Sequence, residues 1–326
     1  MRRPNPSATL LTLAARRAQT SSMSDPLMLI LAMDHRDSLE RELYRLTASP
    51  TPVEAARIAA DKLLVYRALL DAVGQLPADA RAGVLVDEEY GASVAELAQH
   101  VPTLDLAIPI EASGHPWFQF AFGADWQRHA EYFGTGHSKV LIRDNPGFAS
   151  ADRTAQMATV ATVSAWARKA GRPLIVELLI PATDADLASV GNDAMRYDVE
   201  VRPRLTVQVI HDLQDAGVEP ALWKVEGLEA TADARAVAEA ARRHGRDALC
   251  IVLGRHAPAD RLDHWLEVAA PVSDFIGFAI GRSIWWDALS DHLAGSIDES
   301  AARGRIAANF LQYANDFVAA RAASQK

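Results

Sequence analysis

The chain has 326 residues, of which 49% are hydrophobic and 23% charged, a composition typical of a folded globular protein. The formal net charge of -9 argues against nonspecific nucleic-acid binding, and it means that an anionic ligand needs a local cationic site. No apolar stretch reaches the roughly 18 residues of a membrane span, and Cys250, the only cysteine, excludes an internal disulfide. We therefore expect a cytoplasmic protein without nucleic-acid or membrane partners.

Residues 1–25 differ in composition from the remainder of the chain. Arginines in this segment precede the first acidic residue, Asp25, a composition that resembles a transit peptide. The alternatives are a disordered extension and a protein that starts at Met23. We interpret residues 1–25 as an extension that is disordered or not part of the translated protein, and residues 26–326 as one domain.

From residue 27 onward one pattern repeats: a short apolar run ends in polar residues, and an amphipathic, alanine-rich segment follows. The apolar runs predict strands at 27–36, 82–91, 104–114, 138–147, 172–181, 221–228, 248–258 and 274–286. Helical periodicity predicts helices at 53–73, 154–170, 202–217 and 232–245, and near 299–320. Continuous apolar strands that alternate with helices indicate parallel strands with both faces covered.

The number of these units decides between a closed and an open sheet. Eight strand–helix units in about 300 residues favour a single-domain (β/α)8 TIM barrel. No GxGxxG motif follows a predicted strand and GxxxxGK[ST] does not occur, which argues against an open nucleotide-binding sheet. No linker rich in proline, glycine or serine divides the chain.

The polar residues of the runs concentrate at the carboxyl ends of the strands, which share the rim of a barrel that carries its active site. In the sixth run the side chains alternate, so Leu222, Lys224 and Glu226 share the face opposite Trp223 and Val225. Lys224 then points into the barrel, where a charged amine is costly and an uncharged amine is a nucleophile. The alternative is a structural ion pair between this lysine and a buried carboxylate.

Neighbouring strands supply a carboxyl group and a second cation. Glu177 is the polar member of an apolar inward face, a setting that raises the pKa of a carboxyl group and suits proton transfer. Lys139 lies on the inward face of the fourth run and favours the uncharged form of Lys224, and Asp34 ends the first run, where it can bind a substrate hydroxyl. These are the groups of a Schiff-base aldolase, which needs neither a cofactor nor a metal.

Two Gly-Arg pairs, Gly254-Arg255 and Gly281-Arg282, end the seventh and eighth runs. Glycine lets backbone N–H groups approach an anion, and arginine can donate two hydrogen bonds to phosphate. Because the loops after these strands are the usual phosphate site of the fold, we expect the four residues to bind phosphate. The acidic run at 87–90 is interpreted as a solvated rim, since no histidine spacing supports a metal site.

These motifs carry a resemblance to a known family. The segments LAMDHRDSL, VLVDEEYG, VELLIP, ALWKVEGL, IVLGRHAP and GFAIGRSIWW resemble the 2-deoxy-5-keto-D-gluconate 6-phosphate aldolase family of myo-inositol breakdown. The chain is more distantly similar to tagatose-1,6-bisphosphate and sulfofructose-phosphate aldolases, class I enzymes on the same barrel. The resemblance covers residues 27–320. It implies that Lys224 forms the imine, that Glu177 is the acid/base and that Arg282 binds phosphate, with Lys139 and Asp34 at matching positions.

The resemblance implies a carbon–carbon lyase that cleaves 2-deoxy-5-keto-D-gluconate 6-phosphate into dihydroxyacetone phosphate and malonate semialdehyde. The carboxylate of that aldehyde could bind His35, Arg36 or Arg143, which we do not rank; His35 stands where the distant relatives have glutamine. The alternatives are an aldolase for another ketose phosphate, a metal-dependent aldolase, a sugar-phosphate isomerase and a non-catalytic sugar-phosphate sensor. We expect a phosphorylated ketose as ligand and a homo-oligomeric assembly.

Overall fold

The structure is a computed structural model that describes residues 26–134 and 136–324, so the expectation for residues 1–25 lies outside the described residues. Eight parallel strands close into a barrel in sequence order, and β8 pairs with β1. They are β1 (Leu27–Ala32), β2 (Ala80–Leu85), β3 (Leu104–Pro109), β4 (His137–Arg143), β5 (Leu174–Leu179), β6 (Leu222–Glu226), β7 (Leu249–Leu253) and β8 (Phe275–Ile280). The predicted (β/α)8 barrel is confirmed. Each strand is shorter than its apolar run because the end of the run forms the following loop or, at the second and eighth runs, the start of the next helix.

Helices cover the outside of the barrel. They are α1 (Pro52–Val73), α2 (Glu88–Ala98), α3 (Trp126–Tyr132), α4 (Ser150–Ala170), α5 (Asp184–Ser189), α6 (Ala194–Arg196), α7 (Arg202–Asp215), α8 (Thr231–Ala241), α9 (Ala259–Ala269), α10 (Arg282–Leu293) and α11 (Glu299–Ser324). Local signals set their ends: Thr51 and Glu54 form a capping box at the start of α1, and α4 ends at Gly171 with a φ of 67°. Within 26–134 and 136–324, no helix is long and apolar enough to cross a membrane.

Two apolar layers explain how β6 presents Lys224. A small cluster fills the barrel interior and contains Ile30, Ala32, Leu85, Ala107, Ile175, Leu222, Leu249, Ile251, Ile276 and Ala279. A larger cluster lies between strands and helices and contains Trp223 and Val225. Leu222 therefore points inward and Trp223 outward, as the alternation predicts, and Lys224 lies on the inward face.

Strand register fixes the depth of the polar groups. Glu177 on β5 is the direct register partner of Lys224 on β6. Lys139 on β4 pairs instead with Ile175, two residues below Glu177. The barrel interior is thus apolar at its base, and its carboxyl end carries a carboxylate and an amine side by side above a deeper lysine.

Candidate active site

A cavity of about 270 Å³ opens at the carboxyl ends of the strands. Every site residue expected from the sequence lines it: Asp34, His35, Arg36, Lys139, Arg143, Glu177, Lys224, Gly254, Arg255, Gly281 and Arg282. Glu42 and Glu111, to which the sequence assigned no role, line it as well. The rim of the barrel therefore brings the predicted catalytic and anion-binding groups into one space.

Lys139 is the electrostatic centre of the cavity floor. Its Nζ lies 2.9 Å from Asp34 Oδ2, 2.6 Å from Glu111 Oε1 and 2.6 Å from Glu177 Oε2. Burial alone would lower the pKa of Lys139, but the three carboxylates together raise it well above its ordinary value. Lys139 therefore stays charged and serves as a fixed counter-ion.

Glu177 joins the two lysines. Its Oε1 lies 3.0 Å from Lys224 Nζ while its Oε2 contacts Lys139. Lys224 is 3% exposed and lines the cavity. A buried amine thus lies within proton-transfer distance of a carboxylate, at a place that a ligand can reach.

The expectation that the pKa of Glu177 is raised is wrong. Burial acts in the expected direction, but the charges of Lys139 and Lys224 outweigh it and lower the pKa of Glu177. The same two lysines hold the pKa of Asp34 well below its usual range, against burial. Both carboxylates are therefore ionised at neutral pH, and Glu177 is ready to accept a proton before it can donate one.

The eighth strand ends at the start of α10. A Cβ on Gly281 would lie 2.4 Å from the Ala32 carbonyl oxygen and 2.9 Å from His35 Cε1, so only glycine allows this close packing on β1. Arg282, the first residue of α10, pairs with Glu42 at 3.0 Å, and the Glu42 side chain is 52% exposed. Backbone N–H groups at a helix start favour an anion, and Arg282 can exchange its exposed partner for one.

Arg255 is held differently from Arg282. Its guanidinium lies 2.9 Å from Glu226 and 3.1 Å from Asp198, both of which are buried. Burial opposes the charge, but these carboxylates raise the pKa of Arg255 above its ordinary value. The charge of Arg255 is already neutralised by fixed partners, so an added phosphate would have to compete with them.

A buried lysine on α1 holds the backbone of the loop after β1. Lys62 on α1 donates to the backbone oxygens of Met33 at 2.7 Å and His35 at 2.9 Å, and it pairs with Asp87. Asp87 is fully buried and caps α2, so the interpretation of this acidic residue as part of a solvated rim is wrong. Lys62, on the preceding helix, supplies the positive charge that compensates the buried Asp87 carboxylate.

His35 lies in the cavity wall, where its ring packs edge-on against Trp285 with centroids 5.6 Å apart. Burial lowers the pKa of His35 to about 3, and Arg282 adds to the shift while Asp34 opposes it. The ring is therefore neutral at physiological pH. It suits a hydroxyl or carbonyl group better than an anion.

Glu111 and Lys62 are the contributors that the sequence left without a role. Glu111 lies in the polar end of the third run just as Asp34 lies in that of the first, so a signal for it was present. Lys62 lies inside a regular amphipathic helix, and nothing in its local sequence separates it from a solvent-facing lysine. Within the described ranges, no group of three or more His, Cys, Asp or Glu side chains is arranged to hold a metal ion.

Comparison with known proteins adds a family and a fold. A family described as an uncharacterized protein conserved in bacteria (DUF2090) matches residues 2–321. The chain belongs to this family. No curated protein matches the DUF2090 chain.

Solved structures share its architecture. The fructose-bisphosphate aldolase of Plasmodium falciparum is similar with a TM-score of 0.63 and 13% identity, over 97% of this chain and 96% of that one. Cgl0159 of Corynebacterium glutamicum has a TM-score of 0.54 and 15% identity, over 94% and 98%. The YdjI aldolase of Escherichia coli K12 has a TM-score of 0.50 and 9% identity, over 90% and 92%. At these identities the likeness shows a common barrel fold.

Proposed function

We propose that this protein is a class I aldolase, a carbon–carbon lyase that cleaves a phosphorylated ketose through an imine on Lys224. The observation that carries the proposal is the 3.0 Å contact between Lys224 Nζ and Glu177 Oε1. Both groups are buried and line one cavity. A nucleophilic amine beside its own proton acceptor is the arrangement that imine chemistry needs.

The steps follow from these positions. The Lys224 amine attacks the ketone carbon, and its proton passes to Glu177. Loss of water gives a protonated imine. When the carbon–carbon bond breaks, its electron pair moves into the imine. The hydroxyl of the departing fragment becomes an aldehyde and gives its proton to Glu177, which has lost its own proton to the departing water. Protonation of the enamine and addition of water release the ketone phosphate and restore the amine.

The phosphate belongs at the start of α10. Gly281 brings the backbone close to the cavity, and Arg282 adds a guanidinium whose partner is half exposed. Gly254 and Arg255 line the same side. Arg282 is the stronger phosphate ligand of the two arginines because Arg255 is already paired with buried carboxylates.

For the substrate, the sequence motifs support 2-deoxy-5-keto-D-gluconate 6-phosphate, with dihydroxyacetone phosphate and malonate semialdehyde as products. Two of the similar solved structures are named as aldolases, which supports the reaction class. The second candidate is an aldolase for another ketose phosphate, favoured by the more distant resemblance to the tagatose-1,6-bisphosphate enzymes.

Borohydride trapping tests the proposal. The protein is incubated with dihydroxyacetone phosphate, reduced, and mapped by peptide mass spectrometry. We expect one adduct on Lys224, lost in Lys224→Ala and kept in Lys169→Ala, a control on the exposed end of α4. A chelator should not reduce turnover of a ketose phosphate. An untrapped protein with chelator-sensitive turnover would contradict the imine, and a protein without turnover would instead be a sensor.

A further inference from the structure

The arginines around the cavity fall into two classes by charge balance. Arg255 is neutralised by Asp198 and Glu226, and Arg282 by Glu42. Both lie on the side of the mouth formed by the loops after β7 and β8. A single phosphate on that side can be held by Arg282 and the start of α10.

Arg36 and Arg143 form the second class. In the described parts of the chain, neither has a carboxylate within ion-pair distance. Arg36 Nη2 donates to the Glu111 backbone oxygen at 2.8 Å, and Arg143 Nη1 donates to the His115 backbone oxygen at 3.1 Å. Both contacts are to the loop after β3, so two guanidinium groups without counter-charges flank one short segment of the rim.

This part of the cavity also contains buried polar atoms without partners. Arg36 is 7% exposed and Glu111 is 6% exposed, yet Arg36 Nε and Glu111 Oε2 have no hydrogen-bond partner among the described residues. Both residues line the cavity. Leaving buried polar groups unpaired is costly, and a ligand with an acceptor and a hydroxyl would satisfy both.

The barrel geometry places Arg143 across the mouth from the phosphate side, and Arg36 reaches towards the loop after β3 from the loop after β1, the strand next to β8. Strands run in order around the closed barrel, so β4, which ends at Arg143, lies opposite β8, which leads to Arg282, with β6 midway between them. Lys224 on β6 is therefore midway around the barrel between two anion-binding sides. A chain-like substrate with a central carbonyl would extend from one side to the other.

We propose that Arg143, assisted by Arg36, forms a second anion subsite that binds a carboxylate at the end of the substrate remote from its phosphate. A carboxylate fits better than a second phosphate, because the nearby Glu111 carboxylate repels a doubly charged group more strongly. Arg143 lies at the open end of β4 and is partly exposed, so it can meet the incoming ligand. His35 has a neutral ring and therefore offers a carboxylate no positive charge, whereas both arginines do. The inference rests on the proposed function for the reacting carbonyl, but the subsite itself can be tested by binding.

Two ligands that differ in one group isolate the subsite. 6-Phosphogluconate and glucitol 6-phosphate share a carbon chain and a phosphate, and end in a carboxylate or a hydroxymethyl group. We expect calorimetric titration to show that the full-length protein binds 6-phosphogluconate about 10–100-fold more tightly, the scale of a charge-assisted hydrogen bond. Arg143→Gln should reduce this ratio to within about threefold, Arg143→Lys should keep part of it, and Arg305→Gln, on the exposed face of α11, should keep all of it.

The affinity ratio decides whether the carboxylate subsite exists. Equal affinities in the unmodified protein, or a ratio that Arg143→Gln leaves unchanged, would overturn the subsite. Because the readout is a ratio, a general loss of affinity cannot imitate the expected result. The borohydride experiment separates the two proposals: an adduct without carboxylate preference removes only the subsite, whereas carboxylate preference without an adduct removes only the aldolase.

Discussion

Replacing Lys139 with methionine removes the cation that three buried carboxylates share. The Lys139 Nζ lies 2.6 Å from both Glu111 and Glu177 and 2.9 Å from Asp34. Methionine occupies a similar volume but leaves these groups buried without their common counter-ion. Breaking a buried ion pair in this way costs about 3–5 kcal/mol. We expect the free energy of unfolding at neutral pH to fall by about that amount.

The loss of unfolding free energy in Lys139→Met should depend on pH. In the native protein the lysine charges hold the pKa of Asp34 and Glu177 below ordinary values against burial. Their stabilisation is therefore present above the unfolded pKa values of about 3.9 and 4.3 and is lost as the pH falls further. In the variant, Asp34 and Glu177 lose the larger of their two lysine charges, so burial opposes their ionised forms more strongly and protonation on acidification relieves part of the penalty. The difference between the two proteins should shrink from pH 7.5 to pH 5.

Urea unfolding followed by circular dichroism at both pH values measures this difference. Lys139→Arg keeps the charge and should recover part of the stability, and Lys169→Met on the exposed end of α4 should have no effect. The variant should also form the Lys224 adduct slowly, since Glu177 loses the contact that fixes one of its carboxylate oxygens. A deficit under about 1 kcal/mol at pH 7.5, well below the expected range for a broken buried pair, would refute the role of Lys139. An equal deficit at both pH values would also refute it.

Two further predictions concern proton transfer and the cavity wall. Glu177→Gln should still allow the borohydride adduct on Lys224 but should slow aldol cleavage by about 10²–10⁴-fold, because an amide cannot take up the proton; full activity in a steady-state assay would contradict this assignment. Because the pKa of His35 is lowered to about 3, only the unfolded chain protonates this ring between about pH 6.5 and that value. Because of this difference, the free energy of unfolding should fall by up to about 1.4 kcal/mol per pH unit as the pH falls through this window. The slope should be smaller by that amount in His35→Asn when urea unfolding is measured from pH 6 to pH 4, and an unchanged slope would count against a neutral buried ring.

How far the sequence could go is visible in the two lysines. Lys224 was predictable because strand alternation alone assigns its face, and its partner Glu177 is in direct register on the next strand. The partners of Lys139 were predictable only in part: Asp34 and Glu177 were expected in the same cavity, but the direct ion pairs and the contact with Glu111 were not. These carboxylates come from the loop after β1, from the loop after β3 and from β5. They meet only because the barrel is closed and the long side chain of Lys139 rises from a deeper layer. The pKa of Glu177 was misjudged although both lysines were expected in the same cavity, because the sequence gives no distances and burial was taken to outweigh their two charges.

In the proposed reaction, the ionised state of Glu177 determines the order of events at the imine. One carboxylate oxygen is fixed by Lys139 at 2.6 Å, so the group cannot rotate away and the other oxygen stays 3.0 Å from Lys224. Once it has taken the proton of the attacking amine, Glu177 is a carboxylic acid next to the newly formed carbinolamine hydroxyl, where its proton can assist the loss of water. One residue can thus act first as base and then as acid. Lys139 supports this proposed sequence because it keeps its charge, so the cavity floor retains a counter-ion for Asp34 and Glu111 at every step.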